Sequence, residues 1–575
     1  MKLIWRYLRK YKLECVIAPL FKLLEACFDL CVPLVVASIV DGGIEAGDTG
    51  YIWRMFGLLV LLGVVGLSCT LVAQYFAARA AVGSATSLRH DLFAHLQNYS
   101  HEQTDTLGVS AMITRMTSDV NQIQTGINLA LRLLLRSPII VFGAMIMGFF
   151  VKPSLAWIFV AVIPLLSIVV FTVILTGIPL YARIQNRLDS VTAKTRETLR
   201  GVRVVRAFGM QEREVEQFKQ VNRAQTALQN FTGRITALMN PLTFILVNGG
   251  IVALVWFGSR QFGMPDGVTQ GELIALVSYM SQILVELVKL ANTIITLTKA
   301  FACGGRIGAV MDTAAGMPEA EPAPDKQDGS SVCFENVTLT YRGAGAPSLQ
   351  NVSFSVKPGA TVGIIGGTGS GKSSLVELIP RFYDATEGHV FVNGKDVKSY
   401  DPVTLRDTVV TVPQKAVLVS GTIRSNLLWG NENATDEQLW QALRAAQAEE
   451  FVKQKPEGLD APVTQNGTNF SGGQRQRLTV ARALVATSPV LILDDSASAL
   501  DFATEAALRH ALKQLAHKPT VFIVSQRTAS IAHADLILVL EDGCVVGQGT
   551  HDSLLSDCAV YREIYDSQFK GGQGA

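Results

Sequence analysis

Six apolar segments, all before about Ala302 in a chain of 575 residues, restrict its fold more than any other feature. A stretch of about 20 mainly apolar residues is long enough to cross a bilayer. Inside a bilayer every backbone polar group must find a partner within the protein, so such segments form helices. We therefore predict six membrane-spanning helices, at residues 13–40, 53–76, 129–150, 155–178, 238–258 and 273–299.

Charged residues beside these spans predict their orientation. The opening stretch 1–10 is basic, as are the connections after the second and fourth spans, whereas the connection Asp41–Asp48 is acidic. Because Lys and Arg accumulate on the cytosolic side, we expect Asp41–Asp48 outside and both ends of the helical domain in the cytosol. The opening also lacks a short apolar core followed by a small-residue cleavage site. We expect no cleavable signal peptide and a multi-pass protein of the cytoplasmic membrane.

The second part of the chain carries a phosphate-binding loop. Residues 366–373 fit G-x-x-x-x-G-K-[ST] and lie between a short apolar run and a helix-like segment. Backbone N–H groups of such a loop cradle phosphates, its lysine Lys372 reaches the outer phosphates, and its hydroxyl residue Ser373 holds Mg2+. The predicted nucleotide contacts are Gly366, Gly367, Thr368, Gly369, Ser370, Gly371, Lys372, Ser373 and Ser374.

A buried-strand pattern at 490–493 ends in a carboxylate, Asp494. We expect Asp494 to hold Mg2+, usually through water, as the strand-end aspartate of phosphate-loop NTPases does. The soluble part therefore has the pattern of an α/β P-loop domain, and a Pro-rich stretch before it is typical of a linker. The predicted domains are a six-helix all-α transmembrane domain at 1–313, a linker at 314–331, the α/β nucleotide-binding domain at 332–570 and a tail at 571–575.

The run Ser471–Gln474 carries the most functional information. It reads Ser-Gly-Gly-Gln, about a hundred residues after the phosphate-binding loop, and precedes a helix-like segment. This signature resembles that of the ATP-binding cassette (ABC) family and little else. In that family it caps an ATP held by the opposite cassette. The resemblance implies that a second chain completes each ATP site, through the residues Ser471, Gly472, Gly473 and Gln474.

Three further positions match the ABC pattern in order. Tyr341 resembles the aromatic residue that stacks on adenine, with a sheet tyrosine as the alternative. Gln414 matches the glutamine loop, which would touch Mg2+ or water and sense the membrane arms. Residues 498–501, which end in Asp501, match the loop that crosses the cassette dimer. The resemblance implies ATP and Mg2+ as cofactors and an exporter-fold half-transporter, with six long helices followed by one cassette.

Two catalytic positions depart from the family pattern. Asp495 stands where the base that polarises the attacking water is usually glutamate, and Gln526 stands where histidine is usual. A carboxylate withdrawn by more than about 1 Å can cost about a hundredfold in rate. Glutamine cannot take a positive charge or pass a proton near neutral pH. We therefore predict that ATP held by this chain's own loop is hydrolysed slowly.

A weak catalytic site beside an intact signature resembles the degenerate-site subunit of heterodimeric bacterial multidrug exporters. This resemblance implies ATP-driven export of small amphipathic or drug-like molecules by alternating access. A heterodimer is favoured over a homodimer, whose two sites would both be slow. A siderophore importer with the exporter fold and a non-transporting ATP-binding regulator remain alternatives. The net charge of +2, without a dense basic stretch, argues against nucleic acid as a partner.

Two polar connections, 77–128 and 179–237, are far longer than the about 2–8 residues of a bundle turn. We expect the helices to run beyond the membrane as intracellular arms that press on the ATPase. Within them, 114–119 and 201–208 resemble stretches near the coupling helices of ABC exporters. An ordinary charged helix surface is the alternative.

Charged residues also occur inside the spans. Glu25 and Asp29 lie four residues apart in the first span, and Glu286 and Lys289 lie three apart in the sixth, so each pair shares a helix face. Ionisable groups at that depth are costly and often line a substrate path. The competing interpretation is pairing within one helix, of Lys22 with Glu25 and of Lys289 with Glu286.

Overall fold

A computed structural model describes residues 2–262, 267–317, 323–326, 329–496 and 500–569. The contacts divide the chain into two compact units, one of Met1–Asn98 with Gly108–Ala314 and one of Tyr99–Leu107 with Ala315–Ala575. Some predicted features lie outside the described residues, namely 318–322 and 327–328 of the linker, Ser498 and Ala499 of the loop 498–501, and the tail 571–575.

Long helices dominate the first 314 residues. The helices are α1 (Lys2–Leu8), α2 (Lys12–Ser38), α3 (Thr49–Gln97), α4 (His101–Leu107), α5 (Val109–Thr114), α6 (Val120–Leu129), α7 (Arg136–Val151), α8 (Pro153–Arg200), α9 (Val202–Ala207), α10 (Gln211–Ala237), α11 (Met239–Gln261) and α12 (Gln270–Asp312). A 3-10 turn at Arg9–Tyr11 and π-helical turns join several of them without a break, at Ile39–Ile44, Arg115–Asp119 and Ala130–Leu134.

The prediction of six apolar helices is confirmed. The continuous helical stretches long and apolar enough to cross a membrane are Leu3–Ile44, Thr49–Gln97, Val109–Val151, Pro153–Arg200, Gln211–Gln261 and Gln270–Asp312. Each contains one predicted span. At 1.5 Å per residue the 49 residues of α3 measure about 74 Å, more than twice the about 30 Å of a bilayer core. These helices therefore extend well outside a membrane.

The adjoining ends of α2 and α12 are held together by one carboxylate. Asp41, in the π-helical turn after α2, accepts hydrogen bonds from Thr269 Oγ1 at 2.6 Å and from the N–H of Gly271 at 2.7 Å. A negative charge is favourable at this helix N-terminus. A Cβ at Gly271 would lie 2.3 Å from the carbonyl oxygen of Ala37, so only glycine permits this approach. The acidity of Asp41 thus has a structural role, which we name the Asp41 clamp.

The described part of the second unit contains three sheets. The strands are β1 (Val332–Leu339), β2 (Leu349–Val356), β3 (Thr361–Gly366), β4 (Glu387–Val392), β5 (Lys395–Asp396), β6 (Val409–Val412), β7 (Gly421–Thr422), β8 (Pro462–Val463), β9 (Val490–Asp494), β10 (Thr520–Val524), β11 (Leu536–Glu541) and β12 (Cys544–Gly549). A six-stranded sheet has the order β12-β11-β3-β10-β9-β6, with β12 antiparallel and the others parallel. A four-stranded antiparallel sheet has the order β2-β1-β4-β5, and β7 pairs with β8 in a small antiparallel sheet.

Helices cover the sheets and bury two apolar cores against them. They are α13 (Lys372–Leu378), α14 (Pro402–Thr408), α15 (Ile423–Leu427), α16 (Asp436–Ala445), α17 (Glu449–Lys453), α18 (Gly472–Val485), α19 (Phe502–Lys513), α20 (Thr528–Ile531), α21 (His551–Asp557) and α22 (Ala559–Phe569). In the parallel sheet, Val524 pairs with both Ile364 and Asp494. This register brings the carboxyl ends of β3, β9 and β10 to one edge, where ligands bind in such sheets.

Candidate nucleotide-binding site and membrane charge cluster

The phosphate-binding loop joins β3 to α13 at that edge. Gly371 has a φ of 95°, and a Cβ there would lie 2.7 Å from the carbonyl oxygen of Ser348. A Cβ at Gly366 would lie 2.1 Å from the carbonyl oxygen of Leu540. Glycine is therefore required at both positions. At Gly366 the reason is close packing against β11, and at Gly371 it is the left-handed backbone. The loop leads into α13, which begins at Lys372. The N–H groups at the N-terminus of this helix favour an anion.

Side chains from separate strands and loops meet in a cavity of about 250 Å³ beside the loop. Lys372 Nζ lies 2.6 Å from the carbonyl oxygen of Gly367 and 3.0 Å from that of Gly366, so the ammonium group lies over the loop. Burial lowers the pKa of Lys372 below its ordinary value. The lining of the cavity includes Thr368, Gly369, Gly371, Lys372, Ser373, Ser374, Gln414, Asp494, Asp495, Ser525 and Gln526.

Two of these residues suit a hard divalent cation. Ser373 Oγ donates to Asp494 Oδ1 at 3.2 Å, and both residues line the cavity. Burial raises the pKa of Asp494, with the neighbouring charge of Asp495 adding to the effect. A bound cation would offset the cost of burying this carboxylate, and Mg2+ takes one or two such oxygens together with phosphates and water. The residues present fit the predicted metal.

The two departures from the catalytic pattern lie beside this oxygen pair. Gln414 Nε2 donates to Asp495 Oδ2 at 3.3 Å. Asp495 has a φ of 44°, unusual for a residue other than glycine, and its N–H donates to the carbonyl of Val524 at 3.1 Å. The carbonyl oxygen of Gln526 accepts from Gln568 Nε2 of α22 at 2.8 Å. The structure therefore brings Gln414, Asp495 and Gln526 together with the phosphate-binding loop.

Tyr341 lies next to α13. Its hydroxyl is 3.0 Å from Ser374 Oγ and 3.4 Å from Glu377 Oε2, and its ring meets the edge of Tyr383 at a centroid distance of 5.0 Å. The tyrosine is thus positioned beside the phosphate-binding loop, and adenine stacking remains a proposal.

The signature lies at an exposed helix end. Ser471 is the N-cap of α18, and its Oγ accepts the N–H of Gln474 at 3.3 Å in a capping box. Ser471 and Gly472 are exposed. Within the described part of the chain, Ser471, Gly473 and Gln474 are not among the residues that line the phosphate-loop cavity. Asp501, also exposed, caps α19 through Thr504 N–H at 2.8 Å, which lowers the pKa of its carboxyl.

Sequence reasoning missed part of the second unit. The short helix α4 belongs to it, since the His101 ring stacks on Phe382 at 4.3 Å and Tyr383 donates its hydroxyl to Asp105 Oδ2 at 2.6 Å. The stretches 114–119 and 201–208, which resemble sequences near coupling helices, belong to the first unit. The aromatic pair Phe382-Tyr383 soon after α13 was the available signal for a docking surface.

Comparison with known proteins decides the family. Residues 15–287 match the family described as ABC transporter transmembrane region, and residues 349–498 match the family described as ABC transporter. An uncharacterized ABC transporter ATP-binding protein of Mycobacterium tuberculosis is 37% identical, over 99% of this chain and 98% of that one. This chain belongs to the ABC transporter family. The family hydrolyses ATP and couples hydrolysis to transport.

Two other similarities extend over the whole of this ABC transporter. The ATP-dependent lipid A-core flippase of Salmonella typhimurium is 29% identical, over 98% of this chain and 97% of that protein. A solved structure of a bacterial Atm1-family ABC exporter with ATP bound superposes with a TM-score of 0.77 at 24% identity, and covers 98% of both chains. The predicted fold, an apolar six-helix domain followed by an α/β cassette, is confirmed.

The membrane part of this ABC transporter contains a charge cluster centred on Arg136, which sequence reasoning did not single out. Arg136 donates to Glu286 Oε1 at 2.6 Å and to Asp29 Oδ2 at 2.7 Å, and lies 3.6 Å from Glu25 Oε1. Ser137 Oγ donates to the other oxygen of Glu286 at 2.8 Å. An arginine near the start of the third apolar run was the available signal.

The pairs expected within single helices are also present in this Arg136 cluster. Lys22 lies 2.5 Å from Glu25, and Lys289 lies 2.9 Å from Glu286. The charges of three basic and three acidic side chains therefore balance. The contacts among these side chains connect α2, α7 and α12. The side chains of Asp29 and Lys289 remain 40% and 45% exposed, whereas that of Glu286 is 5% exposed. The first two side chains are therefore accessible, while Glu286 is enclosed by Arg136, Ser137 and Lys289.

Proposed function

We propose that this chain is one half of a heterodimeric ABC exporter that moves an amphipathic molecule out across the cytoplasmic membrane. The observation that carries the proposal is the pairing of a degenerate catalytic position, Asp495 beside Gln414, with an intact and exposed signature at Ser471 and Gly472. One chain then supplies a slow ATP site of its own and completes a different site on its partner.

The chain's own residues would perform distinct tasks at the slow site. The N–H groups of the phosphate-binding loop and Lys372 hold the phosphates, and Ser373 with Asp494 holds Mg2+, which supplies charge neutralisation. Tyr341 stacks on the base. Asp495 is one methylene shorter than the usual base, so water is poorly oriented there. The binding of ATP at both sites would close the cassettes and turn the membrane cavity outward, and hydrolysis at the partner's site would reopen it.

The proposed substrate class rests on the Arg136 cluster within the apolar helices and on the name of one relative. The Salmonella protein that is 29% identical is named a lipid A-core flippase, which favours an amphiphile here. The Arg136 cluster supports this choice, because Glu286 already has three partners and offers no free carboxylate to a cationic drug. Asp29 and Lys289, the exposed members, are the proposed contacts for a polar headgroup.

The deciding experiment is steady-state ATPase activity in lipid, first of this chain alone and then with the half-transporter encoded beside it. We expect near-zero activity alone and turnover with the partner, lost when the partner's catalytic glutamate is replaced. The matched control is Asp495→Glu with Gln526→His, which should raise the activity of this chain alone by at least about tenfold. Robust activity of the unmodified chain alone would contradict the heterodimer and support a homodimer.

A further inference from the structure

An apolar groove lies against the first helix, α1. It has a volume of about 500 Å³ and is formed by α1, by α6 with the following π-helical turn, and by α12. Trp5 and Leu8 line it on one side, Ile127 and Leu131 on the second, and Leu297 and Phe301 on the third. Its size is that of a pocket for a small ligand, which usually falls at about 300–1,000 Å³.

The depth of the groove places it at one membrane boundary. The third predicted span begins at residue 129 and the sixth ends at residue 299. Residues that line the groove lie on both sides of each of these two span ends. The distribution of Lys and Arg beside the predicted spans places this boundary on the cytosolic side. Trp5 is 67% exposed, as expected of a tryptophan at a membrane interface. A lipid of the cytosolic leaflet would therefore find this groove at the level of its upper acyl chain.

The charges around the groove favour one kind of lipid. Residues 2–13 contain five Lys or Arg and no Asp or Glu, and Arg6, Arg9 and Lys10 are exposed beside the groove-lining residues of α1. Lys299 is exposed on α12. Two carboxylates from neighbouring segments are already engaged, Glu14 at 3.5 Å from Arg79 and Asp91 by the hydroxyl of Tyr7 at 2.9 Å. The groove is thus apolar within and basic around its mouth.

We propose that this groove binds one acyl chain of an anionic phospholipid, whose headgroup is held by the basic residues of α1 and the turn after it. Such residues attract anionic lipids within about a Debye length of the surface. The apolar lining holds the chain by van der Waals packing, since the acyl chain leaves one apolar environment, the bilayer, for another. Lipid binding in this groove does not depend on the direction of transport.

The test is native mass spectrometry of the full-length transporter, titrated with phosphatidylglycerol or with phosphatidylcholine of the same chains. Wild type should bind phosphatidylglycerol at least about tenfold more tightly, since each basic residue at the surface contributes severalfold. Ala130→Trp fills the groove and should remove this binding. Val60→Trp, the same bulky residue on an exposed position of α3, is the matched control and should leave it unchanged.

A second variant tests the headgroup contact without changing the packing of the groove. Arg9→Glu with Lys10→Glu changes only exposed side chains and should reduce phosphatidylglycerol binding to the level of phosphatidylcholine. Equal binding of the two lipids by wild type would overturn the proposal, and so would equal behaviour of Ala130→Trp and Val60→Trp. If wild type binds neither lipid and Ala130→Trp separates the transporter into single chains, the groove is covered by a second chain and the lipid proposal is wrong.

Discussion

Asp494 is only 7% exposed, yet it must be ionised to hold a cation. Burial raises the pKa of its carboxyl, so the folded protein binds this proton more readily than the unfolded chain does. Stability associated with this group therefore increases as the pH falls through the raised pKa and is lowest at neutral and higher pH. The residue proposed to hold Mg2+ therefore costs stability at neutral pH.

We expect Asp494→Asn to raise the melting temperature of the nucleotide-free protein at pH 7.5 and to abolish its Mg2+-dependent ATP binding. The gain should shrink as the pH falls, because the wild-type carboxyl becomes protonated. Thermal unfolding over a pH series measures both effects. Asp501→Asn is the matched control, and it should give no gain because its carboxylate accepts Thr504 N–H and has a lowered pKa. A lower melting temperature for Asp494→Asn at pH 7.5 would contradict this account.

Single residues were predictable from the sequence where their chemistry is local. The phosphate-binding loop, Asp494 and the signature each depend on a few consecutive residues and one flanking element, so their placement in the second unit follows from short motifs. Arg136 had no such motif. Its partners Asp29 and Glu286 are 107 and 150 residues away in the chain, and only the packing of three helices brings them together.

At the scale of elements, the Arg136 cluster connects α2, α7 and α12. Removing one member of a buried ion pair leaves an uncompensated charge and costs about 3–5 kcal/mol. We expect Arg136→Met to lower the free energy of unfolding by about that amount, measured by equilibrium unfolding in detergent. The control is Arg132→Met, one turn earlier in the chain, for which the described residues show no ion pair.

A double variant separates charge from packing in the same cluster. Adding Glu286→Gln to Arg136→Met should recover part of the loss, because it removes the excess negative charge that the cluster has once Arg136 is absent. If the losses in free energy of unfolding from Arg136→Met and Glu286→Gln simply add in the double variant, the two residues do not act as a pair.

The docking of α4 is a second prediction about elements. Asp105→Asn weakens the charge-assisted hydrogen bond from Tyr383, so we expect faster amide hydrogen exchange across residues 99–107 by severalfold. Glu102→Gln removes a charge from the same helix and should leave exchange unchanged. Equal exchange in the two variants would mean that the stacking of His101 on Phe382 alone holds the helix.

The elements were predictable to different degrees for a physical reason. Apolar runs of the length of a bilayer must be helical, so the six long helices could be read directly. The attachment of α4 depends on Tyr383, which is 278 residues away from Asp105. Its seven residues have no apolar periodicity of their own, and no local pattern indicated which unit it joins.

At the scale of the whole molecule, the proposed heterodimer predicts unequal effects of two substitutions in this chain. A Cβ at Gly472 meets no atom within 4 Å, so Gly472→Glu should preserve the fold while placing a negative charge against the partner's ATP. We expect it to reduce ATPase activity of the assembled pair at least about tenfold more than Lys372→Ala does, since like-charge contact with phosphate is strongly unfavourable.

Gly472→Ala adds a methyl group without charge and serves as the control for this comparison. A larger loss from Lys372→Ala than from Gly472→Glu would locate the main hydrolysis at this chain's own loop and contradict the assigned asymmetry.

The Asp41 clamp has a mechanical consequence. One carboxylate holds the N-terminal end of α12 against the end of α2, and the Arg136 cluster ties the same two helices together again further along, at Glu286 and Asp29. Residues 287–312 of α12 span about 39 Å, so a bend of about 10° just beyond the cluster would displace the end of the helix by about 7 Å. The two attachments hold the first part of α12 against α2, so a change of angle that keeps both of them intact occurs in the second part of the helix.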